Sequence, residues 1–119
     1  TSKRLQASKL LLEIKDLEQN IVVEVREADR QIKTDIKRVQ ATKVSQKFAE
    51  EKLNAEEKKF EVGLSTSFNV LEFQEDLAEE QSNAIKALID YNKSRNRLNQ
   101  VIARTLESYD IKLLSKEDT

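Results

Sequence analysis

Val62-Gly63-Leu64-Ser65-Thr66-Ser67-Phe68-Asn69-Val70-Leu71-Glu72-Phe73-Gln74 holds the chain's one glycine and interrupts a sequence that otherwise reads as nearly unbroken helix. Gly63 can adopt the left-handed conformation that ends a helix, because it has no Cβ to clash. With no proline in 119 residues, the composition offers no second obvious reversal point. The predicted fold is therefore all-α: two long antiparallel helices joined into one coiled-coil-like hairpin over 1–119, with the reversal at 62–67. The helices are expected at about 3–62 and from about 68 to 107 or further, with a tip at 63–67. Leu64 can fold back onto the last turn of the first helix. Ser65, Thr66 and Ser67 offer capping hydroxyls, and Asn69 with Glu72 shows the spacing of a capping box, so the capping residue stays open among them.

Working outward, Leu10, Ile14, Leu17, Ile21, Val25, Ala28, Ile32, Ile36 and Val39 recur at steps of three and four, 29 residues in eight steps or 3.63 per turn. That lies above the 3.5 of a left-handed coiled coil and predicts a nearly straight helix. Beyond Val39 the apolar positions shift to Ala41, Val44, Phe48, Ala55 and Phe60, so the contact face is expected to drift towards the tip. In the second helix the stripe runs through Leu71, Leu77, Ala84, Leu88, Tyr91, Leu98, Ile102 and Leu106. Glu72, Glu75, Asp76, Glu79 and Glu80 come early there and Lys86, Lys93, Arg95, Arg97 and Arg104 late, an order that complements a helix macrodipole.

At 1.5 Å per residue the first helix extends to about 90 Å and the second to about 60–70 Å, so the start of the first is predicted to overhang. Leu10, Leu11, Leu12, Ile14, Leu17, Ile21, Val22, Val23 and Val25 form a surface there wider than one partner helix covers. Another helix should cover it, either in a larger parent or in a self-associated fragment. The segment 108–114 either continues the helix or leaves it, and 115–119 is expected to fray.

Composition removes most function classes. Charged residues make up 36% and aromatics 5%, which leaves material for a thin interhelical seam rather than a globular core. The 21 basic and 22 acidic residues give a net charge of −1, so no overall field draws the chain to nucleic acid. The basic strip Arg26, Arg30, Lys33, Lys37 and Arg38 is interspersed with Glu24, Glu27, Asp29 and Asp35 and reads as a solvated helix face. Without histidine or cysteine there is no nucleophile–base pair and no usual zinc set, so no enzyme, metal or cofactor is expected. No apolar run approaches the roughly 20 residues of a membrane span, and direct membrane insertion is not expected. No charged segment followed by an apolar run marks a signal peptide, and Thr1 reads as the start of an excised piece.

The order of residues around the turn is more specific than a turn requires. Phe60-Glu61-Val62-Gly63-Leu64-Ser65-Thr66-Ser67 followed by Asn69-Val70-Leu71-Glu72-Phe73-Gln74 and Leu77 resembles the second helical repeat of TolC-like outer-membrane efflux proteins. Those channels carry an aromatic residue, Gly-Leu, a small-polar cluster, Asp-Val-Leu, then Gln and Leu. Val23-Glu24-Val25-Arg26-Glu27-Ala28 upstream and Tyr91 to Leu98 with Ala103 to Glu107 downstream resemble the flanks of that repeat, so the likeness covers roughly 4–113.

The resemblance implies a periplasmic part of an outer-membrane protein, in which a homotrimer builds an α-barrel for efflux or type I secretion. It implies that Val62, Gly63, Leu64 and Thr66 face a periplasmic adaptor (membrane fusion) protein of a tripartite pump. It further implies that Asn69 and Glu72 line the pore constriction, with asparagine standing where some members carry an acid, which weakens charge selection at that ring. The rival is a structural coiled-coil hairpin that self-associates as a scaffold with no transport role. Such a scaffold predicts arms of equal length, a regular 3.5-residue period and an interchangeable turn.

Overall fold

The computed structural model describes residues 2–117 and consists of α1, Ser2–Glu61, and α2, Ser67–Glu117. Thr1, Asp118 and Thr119, the last two within the segment expected to fray, lie outside the described residues. Both helices are rich in Ala, Glu, Lys, Leu, Arg and Gln, which lose little rotamer freedom on entering a helix. α2 runs unbroken through 108–114, where nothing in Tyr109-Asp110-Ile111-Lys112-Leu113-Leu114 breaks a helix. The helices therefore span 60 and 51 residues, and the overhang is shorter than the sequence stripe implied. The chain forms two compact units, one of 33–93 around the reversal and one of 1–32 with 94–119.

In the unit around the reversal, the side of α1 turned to α2 is Asp35, Val39, Thr42, Gln46, Ala49, Leu53 and Glu56, all buried or half-buried. The facing side of α2 is Val70, Phe73, Leu77, Glu80, Ala84, Ala87 and Tyr91. Each set covers 21 residues in six alternating steps of three and four, 3.5 per turn, which is the heptad seam of a left-handed coiled coil. This corrects both period expectations for α1. Asp35, 5% exposed, holds the seam position in place of Ile36, which is 38% exposed, so it does not belong to a solvated face. Val44, Phe48 and Phe60 point outward, and the contact face does not drift.

Small and polar residues fit this seam because their polar groups are satisfied. Thr42 Oγ1 donates to the carbonyls of Arg38 and Val39 at 2.9 and 3.0 Å, and Gln46 Nε2 donates to Glu50 at 3.5 Å. Among the described residues no buried side-chain nitrogen or oxygen lacks a hydrogen-bond partner. Ala49 and Ala87, buried without bulk, let the backbones approach, each methyl contributing about 0.8 kcal/mol. Arg38 and Asp90 form a charge-assisted bond of 2.6 Å between the helices on one flank of the seam.

In the second unit Ile21, Val25, Ala28 and Ile32 on α1 and Ser94, Leu98, Val101, Thr105 and Ser108 on α2 carry the same alternation. Thr105 Oγ1 bonds the Val101 carbonyl at 2.8 Å, and Arg104 lies 3.8 Å from Glu24. Leu10 and Leu17, both assigned to the stripe, are more than half exposed. They belong to an apolar groove of about 680 Å³ lined also by Ile14, Ile21, Val25, Tyr109 and Ile111. Both helices line it, so the uncovered surface is not an overhang of α1 alone.

Candidate functional site

The reversal is built from two helix ends. Gly63 has φ +79°, its N–H bonds the Phe60 carbonyl at 3.1 Å, and the Leu64 N–H bonds the Lys59 carbonyl at 2.8 Å. This pair of bonds is a Schellman motif, which satisfies carbonyls left open at the end of α1. Lys58 and Lys59 place positive charge in the same last turn, where the helix dipole is negative. A Cβ added to Gly63 meets nothing within 4 Å, so glycine is required there by backbone conformation and not by crowding.

Thr66 caps α2. Its hydroxyl accepts the Asn69 N–H at 3.2 Å and its carbonyl accepts the Val70 N–H at 3.1 Å. Asn69 is thus the third helical residue and not a cap, and the spacing of Asn69 and Glu72 does not form a capping box. Ser65 donates its hydroxyl to Glu56 at 2.5 Å, while the other Glu56 oxygen lies 3.9 Å from Lys59. These bonds tie the loop to the last turns of α1 and leave the five residues between the helices little freedom.

On this fixed turn Val62 and Leu64 are 70% and 78% exposed. Leu64 therefore does not fold back onto α1, because the two Schellman bonds close the helix end without it. Thr66 is exposed beside them with one hydroxyl lone pair committed to the cap. Asn69 is half-buried and Glu72 exposed. Three residues apart on one helix, they share the flank that continues to Asp76 and Glu79. The first turn of α2 carries no acid, and the dipole effect fades within that turn. Macrodipole complementation accordingly does not account for the run from Glu72 onward.

Two residues escaped the sequence reading of the site. Phe68, at the second position of α2, is 67% exposed, and Phe60 also lies on the surface. A large aromatic two residues after a cap, out of phase with the seam, is the available signal.

A second concavity in the same unit, about 340 Å³, lies between Phe48, Lys52, Phe73, Asp76, Glu79 and Glu80. Lys52 Nζ sits 4.8 Å from the centre of the Phe48 ring. Among the described residues no acidic group is arranged to hold a metal ion, and no helix is long and apolar enough to cross a membrane.

No curated protein and no solved structure matches the chain. Residues 3–104, well over half of the chain, match the family model described as outer membrane efflux protein, and the chain therefore belongs to the outer membrane efflux protein family.

Proposed function

We propose that this chain is the periplasmic helical hairpin of a TolC-like outer-membrane channel for efflux or type I secretion, and that its reversal docks a periplasmic adaptor protein. The observation that carries the reading is the exposure of Val62 and Leu64 on a turn held by local bonds, in a chain of this family. Apolar side chains on a rigid turn bind without the cost of ordering a loop. Gly63 supplies the turn, Val62 and Leu64 the apolar contact, and Thr66 the cap that orients the start of α2. Asn69 and Glu72 follow on one flank, and threefold repetition in a homotrimer turns them into an uncharged ring and an acidic ring at the channel entrance.

The barrel part of the reading has physical support in a second strip on each helix. On α1, Ala41, Val44, Phe48 and Ala55 are exposed and repeat at heptad spacing about 150° round the helix from the seam. Phe68, Leu71, Ala78, Ile85 and Ile89 do the same on α2. Helices with apolar strips on opposite sides suit a closed ring of helices, in which each has two neighbours. The 3.5-residue seam and the closer match of the arms, 60 and 51 residues, favour the scaffold reading, and the seam makes the period no argument for a low-twist barrel.

The test uses the full-length protein. Cysteines introduced at Val62 and Leu64, in a segment with no native cysteine, should crosslink to the adaptor, and Gly63→Val should reduce both crosslinking and efflux. Efflux and crosslinking unchanged in Gly63→Val would defeat the docking assignment. Full activity after replacement of the whole turn by an unrelated loop would favour the scaffold.

A further inference from the structure

The hollow of about 340 Å³ beside the seam arises where α1 presents the small residues Ser45 and Ala49, which leave space between the helices that larger side chains would fill. Phe48 and Phe73 give it aromatic surface, and Asp76, Glu79 and Glu80 line its α2 side. Lys52 is the single base among the lining residues. Its ammonium forms no ion pair with these acids and instead rests 4.8 Å from the centre of the Phe48 ring. The ring face thus already holds a cation, while three carboxylates nearby have no partner among the described residues.

We propose that this hollow binds a small organic cation with an apolar body, of the aryl-alkyl quaternary ammonium class, whose charge takes the place of the Lys52 ammonium at the Phe48 ring. An aromatic face attracts a cation through its quadrupole, and the attraction grows as water is displaced. A primary ammonium is compact and strongly hydrated, so a bulky quaternary one loses less on leaving water. The acids supply a field of the right sign, but among the described residues no acidic group is arranged to hold a metal ion, which favours an organic cation over an inorganic one. Phe73 and Ala49 offer apolar contact to the body of the ligand. Ligand pockets span roughly 300–1,000 Å³, and a hollow at the small end of that range suits a single ring with its ammonium group. Lys52 is exposed and can swing into solvent when the ligand enters. The inference rests on the hollow alone and holds whether or not the reversal docks an adaptor.

Titration of the isotope-labelled 119-residue chain with benzyltrimethylammonium, followed by NMR at constant ionic strength, reads the outcome. Saturable amide shifts are expected around Phe48, Lys52, Phe73 and Glu80. Tetramethylammonium carries the charge without the ring and benzyl alcohol the ring without the charge, so each should bind about tenfold more weakly. Phe48→Leu keeps apolar bulk but removes the aromatic face, and should weaken binding about fivefold. Asp76→Asn with Glu80→Gln should weaken it by a similar factor, whereas Lys52→Gln, which clears the ring, should tighten it about threefold. Phe48 and Lys52 are exposed, so helical circular dichroism should persist in their variants. The proposal is overturned by shifts that do not saturate or that spread evenly along both helices, by benzyl alcohol binding as tightly as the cation, or by Phe48→Leu and Lys52→Gln variants that bind as the unaltered chain does.

Discussion

The reversal at 62–66 and the stem between Asp35 and Tyr91 are both ordered, but by different means. Five residues fix the reversal through one positive φ, two Schellman bonds, a threonine cap and the Ser65–Glu56 bond. The stem is fixed by spacing: its seam carries alanine, threonine, glutamine, aspartate and glutamate as readily as valine or leucine. In the reversal the identity of a few residues matters. In the stem the volume at each step matters, and large seam residues such as Leu53, Phe73, Leu77 and Tyr91 alternate with small ones such as Ala49, Ala84 and Ala87.

That difference is sharpest at Ala87, which is fully buried. Ala87→Leu should separate the helices and cost about 2–3 kcal/mol, seen as a lower midpoint in thermal unfolding followed by circular dichroism. An unchanged midpoint would mean the seam is not closely packed. At the reversal, Gly63→Val should cost about 1–2 kcal/mol and Gly63→Asn clearly less, because only the φ and not the surrounding space constrains the position. Equal losses would show that the side chain meets something after all. The smallest effect belongs to Arg38→Ala. Both partners of the Arg38–Asp90 pair are nearly half exposed, so urea unfolding should register a loss of only about 0.5 kcal/mol, shrinking further in high salt.

The same contrast explains what the sequence reveals. Gly63, the hydroxyl cluster and the absence of proline act locally, so the reversal and the helices on either side can be read residue by residue. The seam of α1 cannot be found by following hydrophobicity, because Ile36, Val44 and Phe48 lie outside it while Asp35, Thr42 and Gln46 lie within it. Polar groups satisfied by their own helix, as Thr42 is, cost little to bury, and that satisfaction is invisible in a list of residues. Followed by hydrophobicity alone, the second apolar strip runs on from the first, although it lies on the exposed side of α1. Two of the criteria set against a scaffold, unequal arms and a 3.63 period, weaken accordingly, and membership of the efflux family rests instead on the match over 3–104. Of the candidate site, Val62 and Leu64 stand exposed at the reversal, and Phe68 is exposed near them at a position to which the motif assigns no role.

The Ser65–Glu56 bond closes a separation of nine residues, whereas Arg38 and Asp90 are 52 apart. Closing the larger loop from an open chain costs about 1.5 kcal/mol more in entropy than closing the smaller. The cheapest order of assembly therefore begins at Gly63 and zips along the stem, each contact shortening the loop left for the next. A turn that fixes the tip is also the nucleus from which the hairpin folds, and slowing its closure delays every contact behind it.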